Sequence, residues 1–484
     1  MKRHVLALAC IAVLATGCTL GPDYARPDLA LPEAYRGTVS GEQARDFADI
    51  AWVGLFQDPE MEAVIRDAVA RNLDLKIALL RIEAAQSQLT NARSRLLPTV
   101  DGSLSSSPSA GAGSNDTAYA LGLALSWELD LFGKLRRANE AARAELLASE
   151  DVARAVMSTV VATTASAWLT LRELDQEVLI TRANIQTQEE SLALVRSLMQ
   201  GGVVSGAEEQ QAITQLATTR ARLPQLEQAV IATENSLSLL LGQAPATIAR
   251  SADAPLLQPP ALPDLGLPSE LLERRPDVRA AEQALHAATA RVGVAIANRF
   301  PVPTLGLGGF LGRTGVDLGD VFDNSGSTAE VESWGPNASL PLLDWGRGVY
   351  GVRGARATAQ AAAHDYRFTV LNALAEVSNA MASTELGGQV VAQSQISADA
   401  AAESLRLQDM RFRAGASGYL DVLDAQRQQY GAEIALAQAR QKHLLAHVEL
   451  YRALGGGWSD DALAGVQRGD ADASAAEAPA SATP

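Results

Sequence analysis

Thiols are nearly absent from this chain. It has two cysteines in 484 residues, and Cys10 lies inside an N-terminal apolar run, so Cys18 is the one thiol of a processed chain and an internal disulfide is excluded. Aromatic residues are also scarce, 5% against 47% hydrophobic. The apolar content is therefore mostly small side chains, suited to close helix contact rather than to a globular enzyme core. Basic charge is in deficit: the formal net charge is -16, and losing Lys2 and Arg3 with a leader would take it to -18. That argues against nucleic acid as a partner. Beyond the N-terminus no segment reads as the roughly 18 to 20 apolar residues of a spanning helix, so a chain that crosses a membrane must do so as a β-barrel.

Catalytic signatures are missing as well. His443 and His447 stand four apart, but Leu444 occupies the place where a zinc protease needs its glutamate, and no metal site is expected. Gly306, Gly308, Gly309 and Gly312 miss the dinucleotide spacing by one. Gly133-Lys134 is followed by Leu135 rather than the Ser or Thr of a phosphate loop, and no G-x-S-x-G elbow occurs. No enzyme and no cofactor are expected.

What is present begins with an export signal: Lys2 and Arg3, an apolar run from Val5 to Leu14, then Ala15, Thr16, Gly17 and Cys18. These last positions resemble a bacterial lipobox, with Ala15 where leucine is preferred. The resemblance implies a signal peptide over 1-17 and a covalent lipid on Cys18. Thr19 is not the aspartate that commonly retains such lipoproteins in the inner membrane.

The chain also repeats itself. Gly133 corresponds to Gly346, Gly202 to Gly415, Ala212 to Ala425 and Leu241-Gly242 to Leu454-Gly455, each at a separation of 213 residues. Further upstream, Asn72-Leu73-Asp74-Leu75 matches Arg275-Pro276-Asp277-Val278 and Leu97-Pro98 matches Phe300-Pro301, at a separation of 203. An internal duplication follows, with a first structural repeat over 58-242, a linker over 243-269 and a second repeat over 270-458. The segment 18-57 precedes them. The end, 461-484, rich in Ala, Asp, Ser, Gly and Pro, reads as a disordered tail.

Each repeat reads in one order. The periodicity predicts a helix from Pro59 to Leu97 ended by Pro98, strands over 99-107 and 118-131, and a helical hairpin over 136-241 broken at Gly201-Gly202. The second repeat gives strands over 304-312 and 334-343 and a hairpin over 352-454, broken from Gly415 to Gly418. Strand 118-131 alternates: Tyr119, Leu121, Leu123, Leu125, Trp127, Leu129 and Leu131 face one way, with small or acidic residues between them. Such a face belongs either to a membrane barrel or to a half-buried soluble sheet. The helices favour the first, because the proline-free run from Arg136 to Gln200 would make a rod on the order of 95 Å at 1.5 Å per residue. Pro224, whose counterpart is Ala437, is expected to bend one helix. Four strands cannot close a barrel, because about eight are needed merely to enclose a filled interior, so the protomer must oligomerise.

Four segments, GPDYARP (Gly21 to Pro27), WVGLFQDPEMEAVIRDAVARNLDL (Trp52 to Leu75), ELLERRPDVRAAEQ (Glu270 to Gln283) and FRAGASGYLDVLDAQR (Phe412 to Arg427), resemble the TolC-like outer-membrane factor family, in its lipoprotein (NodT-type) branch serving tripartite RND efflux systems. The resemblance implies an α+β membrane protein, a homotrimer whose 12-stranded outer-membrane β-barrel takes four strands from each protomer and continues into a periplasmic α-helical barrel. It also implies a periplasmic membrane-fusion adaptor and an inner-membrane RND-type pump as partners, and outer-membrane lipid around the barrel. Asp421 and Asp424, three apart on one helix face, are carried over as periplasmic entrance residues, with Glu208 aligned to Asp421. Arg411, Phe412 and Arg413 stand where the family stabilises its gate, and Phe412 lacks the hydroxyl of the family's tyrosine. Gly202, Gly206, Gly415, Gly418 and Tyr419 are the expected hairpin-tip turns and adaptor contact. The same fold serves protein-secretion channels, and a lipid-anchored periplasmic coiled-coil scaffold is a further alternative.

Mass spectrometry of the mature N-terminus is expected to find diacylglycerol on Cys18, each buried CH₂ adding roughly 0.8 kcal/mol of membrane affinity. An unmodified residue there would refute the anchor.

Overall fold

The computed structural model describes residues 19-32, 35, 58-108, 117-251, 257, 259, 269, 271-299, 301-323 and 328-477. The signal peptide, Cys18 and most of 33-57 and 252-270 lie outside the described residues. The elements run α1 (Pro59–Arg71), α2 (Leu73–Ser94), β1 (Thr99–Pro108), β2 (Thr117–Leu129), α3 (Lys134–Gln200), α4 (Gly206–Leu240), α5 (Leu271–Arg274), α6 (Pro276–Ala297), β3 (Thr304–Gly315), α7 (Leu318–Asp323), β4 (Ala329–Ser339), α8 (Arg347–Arg413), α9 (Tyr419–Ala453) and α10 (Asp460–Glu477).

The single helix expected from Pro59 to Leu97 is two. α1 starts on Asp58, whose carboxylate accepts the Glu60 N–H at 3.0 Å and, through its other oxygen, the Trp168 indole at 3.0 Å. It ends at Asn72, whose side chain accepts the Leu75 N–H at 3.0 Å to start α2 and donates to the Leu240 carbonyl at 3.0 Å. One asparagine thus breaks one helix, opens the next and closes the end of α4. In the second repeat the matching position is Arg275, which donates to the Ala453 carbonyl at 3.0 Å. Ala453 lies 213 residues after Leu240 and Arg275 lies 203 after Asn72. The duplicated contact survives with different chemistry.

The long helices, α3 and α8, have 67 residues each, and their return partners, α4 and α9, have 35 each. Both hairpins turn by the same device. Gly202 and Gly415 have φ of +76° and +71°, and at each the next residue's N–H bonds five residues back, Val203 to Leu198 and Ala416 to Arg411. This is a Schellman ending, which needs a left-handed residue. Gly242 and Gly455, at φ +63° and +89°, end the return helices in the same way. Pro224 lies inside α4.

The four strands form one antiparallel sheet in the order β1-β2-β3-β4. Leu121 stands opposite Leu104, Leu125 opposite Val100, Leu123 opposite Leu311 and Trp127 opposite Leu307, so one face is a continuous apolar band. Val100, Leu104, Leu123, Leu311 and Trp334 are exposed on it. β4 corrects the sequence expectation: it covers Ala329–Ser339 rather than 334-343, because its register on β3 ends with Ser339 opposite Thr304. β2 likewise stops at Leu129, before Leu131.

Two further expectations need correction. The tail is helical from Asp460 to Glu477: Ser459 caps it through the Ala462 N–H at 3.2 Å, Arg154 pairs with Asp460 at 2.9 Å, and Leu463 and Val466, three apart, are buried. Alanine favours helix wherever such a stripe has something to pack on; 478-484 lie outside the described residues. And α3 is, by length and composition, apolar enough to cross a membrane, with 56% of its most apolar stretch buried. Ala153, Met157, Val160, Val161, Ala165 and Trp168 are buried there, so its apolar content serves helix packing.

The chain divides into two compact units, one of residues 1-29, 80-151 and 279-369 and one of 30-79, 152-278 and 370-484. Each draws on both repeats, so the repeats 58-242 and 270-458 are units of sequence rather than of packing. In the first unit, the segment after Cys18 is clamped down. Arg26 grips Glu282 through two bonds of 2.8 and 2.9 Å, Tyr24 bonds the same carboxylate at 3.0 Å and stacks on His286 at 4.6 Å, and Arg137 holds Asp23 at 2.5 Å. Leu20 donates to the Phe132 carbonyl at 3.1 Å, between β2 and α3.

The two kinds of turn glycine differ in surroundings. A Cβ on Gly242 would lie 2.5 Å from the Arg71 carbonyl oxygen, whereas one on Gly202 would meet nothing within 4 Å. Gly202→Ala should therefore cost only the left-handed backbone penalty of roughly 1–2 kcal/mol, and Gly242→Ala should cost more than about 2 kcal/mol by adding a backbone clash. Thermal unfolding of both variants in detergent checks the order.

Candidate entrance at the helical hairpin tips

The tips are built around a small apolar core in the second unit: Leu192 and Val195 of α3, Ala212 and Leu216 of α4, and Tyr419, Val422 and Leu423 of α9. Val422, Leu423, Ala425 and Gln426 face inward, and that periodicity turns Asp421 and Asp424 outward, both exposed and on one face. Asp424 accepts from Gln428 at 2.8 Å. Gln426 is buried and donates to Ser191 at 2.8 Å, and Arg427 reaches Gln215 of α4 at 2.7 Å. These last two ties were not singled out from sequence, since a Gln-Arg pair in a helix carries no periodic signal.

Other predicted positions have different work. Tyr419, expected as an adaptor contact, is buried at 2% exposure in the tip core. Phe412, expected at the gate, packs on that core with its ring 5.7 Å from that of Tyr419. A phenylalanine suits this position because an apolar ring needs no partner when buried. Glu208 is half-buried and its carboxylate accepts the Ser205 N–H at 2.6 Å, the closing half of a capping box over Ser205-Gly206-Ala207-Glu208. Arg413 pairs with Asp409 of its own helix at 2.7 Å, and Arg411 is exposed. Gly206 opens α4, and Gly418 is the N-cap of α9.

Higher in the same unit a polar layer joins α3, α4 and α9. Glu177 is buried, accepting from Arg222 at 3.2 Å and from Gln438 at 2.7 Å. Glu173, one turn away, has a buried oxygen without a partner among the described residues. Burial first, then the bond and charge of Glu177, push its carboxyl up to about 8, against the opposing pull of Arg222 and Lys442. Among the described residues no group of three or more His, Cys, Asp or Glu could hold a metal.

A sheet with one apolar face, twin hairpins and a duplicated order match one set of known proteins. The family model described as outer membrane efflux protein matches residues 64–243 and again 267–456, once on each half. The chain belongs to the outer membrane efflux protein family. It is 32% identical to outer membrane protein OprJ of Pseudomonas aeruginosa, over 97% of this chain and 99% of that protein. Nodulation protein T of Rhizobium leguminosarum bv. viciae is 30% identical, with 95% of each chain covered. The solved outer-membrane channel OprN superposes with a TM-score of 0.81 at 32% identity, covering 91% of this chain and all of that one. The protein is accordingly an outer-membrane factor of the TolC and NodT kind, each protomer giving four strands to a trimeric barrel that continues as a helical barrel into the periplasm.

Glu173 sets a pH dependence with a definite sign. Between the ordinary glutamate value of 4.5 and about 8, the folded protein keeps a proton that the unfolded chain has lost, so stability falls as pH rises through that window. Glu173→Gln should flatten this slope. Chemical denaturation at pH 5, 6, 7 and 8 would show a slope unchanged by the substitution if the carboxyl ionises normally.

Proposed function

We propose that this chain is the exit duct of a tripartite efflux pump, a passive conduit through which small molecules pass from the periplasm or the inner-membrane pump to the exterior. The observation that carries the reading is the coupling, in one family member, of a four-stranded sheet with an apolar face to paired hairpins, the second of which turns two carboxylates outward at its tip. A periplasmic membrane-fusion adaptor and an RND-type pump supply delivery and energy. The duct does no chemistry and carries no cofactor other than lipid on Cys18. Thr19, next in the chain, packs on Gly133 where β2 gives way to α3, which suits a lipid entering the periplasmic leaflet at the base of the barrel.

At the entrance, Asp421 and Asp424 of three protomers gather six carboxylates about the threefold axis, which favours cations and the cationic parts of substrates. Arg411, one turn before the tip, offsets part of that charge and holds the closed mouth. In planar bilayers the purified protein should conduct, and a lipid-anchored scaffold should not. A unit charge at about 4 Å is worth about 1 to 4 kcal/mol between water and a protein surface, so Asp421→Ala with Asp424→Ala should weaken block by a trivalent cation complex at least roughly tenfold and reduce cation selectivity. Arg411→Ser should raise conductance. Unchanged block and selectivity in the double variant would place both aspartates away from the lumen.

A further inference from the structure

The sheet ends on two open edges, β1 and β4, and the internal duplication specifies the register in which they meet. Thr99 opposite Ser126 in the β1–β2 pair recurs as Thr304 opposite Ser339 in the β3–β4 pair. Ser126 and Ser339 are 213 residues apart, the separation that also relates the left-handed glycines Gly133 and Gly346, so β2 maps onto β4 at that offset. Thr99 and Thr304 then map β1 onto β3 at 205, two more than the 203 relating Pro98 to Pro301, because Val302 and Pro303 intervene before Thr304 whereas Thr99 follows Pro98 directly. Between these pairs lies β2–β3, in which Leu129 stands opposite Leu305, Trp127 opposite Leu307 and Leu125 opposite Gly309. The same two offsets carry this central pairing to the one that a single chain cannot make, β4 against β1 of the next protomer.

β4 itself supports the mapping. β2 continues three residues past Ser126, its last partner on β1, because β3 pairs with Trp127, Glu128 and Leu129 from the other side. Their counterparts, Leu340, Pro341 and Leu342, follow the last pair of β4 with β3 and have no strand beside them, and Leu342 is 79% exposed. In sequence they alternate as a strand does, but in the single chain they have no ladder and the backbone bends at Leu342. Alternate residues of an antiparallel strand bond to opposite sides, so the leucines can take a neighbouring strand while Pro341 faces the side on which β3 has ended. Face matches too: Val100 and Leu104 lie in the apolar band with Leu125 and Leu121, and Leu340 and Leu342 continue the face of Trp334 and Ala338. A slip of one residue would invert this band.

We infer that in the trimer β4 extends through Leu342 and pairs with β1 of the next copy so that Leu342 lies opposite Val100 of the partner subunit, Leu340 opposite Gly102 of the partner subunit and Ala338 opposite Leu104 of the partner subunit. The inference rests on the trimeric barrel and adds the register and the residues that become strand only on assembly.

Disulfide trapping tests it, since directly opposed residues have Cα atoms about 4.5–5.5 Å apart, within disulfide reach, and a two-residue slip moves them to roughly 7–8 Å. Oxidised Val100→Cys/Leu342→Cys and Leu104→Cys/Ala338→Cys should run as covalent trimers in denaturing electrophoresis. The slipped pairs Gly102→Cys/Leu342→Cys and Gly102→Cys/Ala338→Cys should link several-fold less. Slipped pairs that link as well, or matched pairs that fail to link in particles that light scattering shows to be trimers, would overturn the register. Hydrogen exchange on the unmodified trimer gives an independent reading: the Leu340 and Leu342 amides should be protected like those of Trp127 and Leu129, and exchange at the unprotected rate would overturn the extension of β4. A monomer by light scattering would instead remove the trimeric barrel on which the inference stands.

Discussion

A backbone amide at the edge of a β-sheet has no water to bond inside a bilayer, and leaving it unpaired costs several kcal/mol. This chain supplies a sheet of four strands with two such edges, and the rest of the architecture depends on closing them. Because one protomer cannot curl four strands into a barrel, assembly completes the fold, and the apolar band across Leu121, Leu123, Leu125 and Trp127 has its solvent, the lipid, only once the ring is closed. The long helices inherit that symmetry, since each enters from a strand: Asp130 accepts the N–H groups of Leu135 and Arg136 at 2.9 Å, and Asp344 accepts those of Gly346 and Gly348 at 3.0 and 2.8 Å.

Duplication lets one protomer place two similar hairpins in nearly equivalent surroundings, and the structure shows what had to be kept for that. Backbone geometry was kept: Gly133 and Gly346, Gly202 and Gly415, and Gly242 and Gly455 all hold positive φ at one separation. Side-chain chemistry was free wherever the geometry could be met another way. Asn72 closes the end of α4 with an amide, while Arg275 closes the end of α9 with a guanidinium that also bonds Asp277 and Glu376. The RPDV run is thus a joint between helices. A left-handed turn has almost no substitute for glycine, whereas a carbonyl accepts from many donors.

The tips show the limit of carrying a role from a motif to a residue. Phe412 and Tyr419 lie on either side of the turn from Gly415 to Gly418, and both rings go into the core between the hairpins. Glu208 matches Asp421 in the repeat but serves its own helix start, because Ser205 precedes it at capping distance while Gly418 stands at the matching place before Asp421. The same alignment therefore gives one carboxylate a structural bond and leaves the other exposed.

Periodicity and punctuation in the sequence determined the elements, their order, the duplication and the apolar face of β2, because these are set by side-chain spacing and by the few residues that tolerate special backbone angles. The break at Asn72 was hidden, since an asparagine inside a helical pattern reveals a cap only when the carbonyl of Leu240 is seen beside it. The helix over 460-477 was hidden for a similar reason: a tail poor in large apolar residues folds only where Leu463 and Val466 find something to bury against. Tertiary structure alone decided the end of β4, the inward turn of Tyr419 and the burial of Glu177 against Arg222 and Gln438. Each of these is fixed by which neighbour arrives from a distant part of the chain, and local spacing carries no record of that.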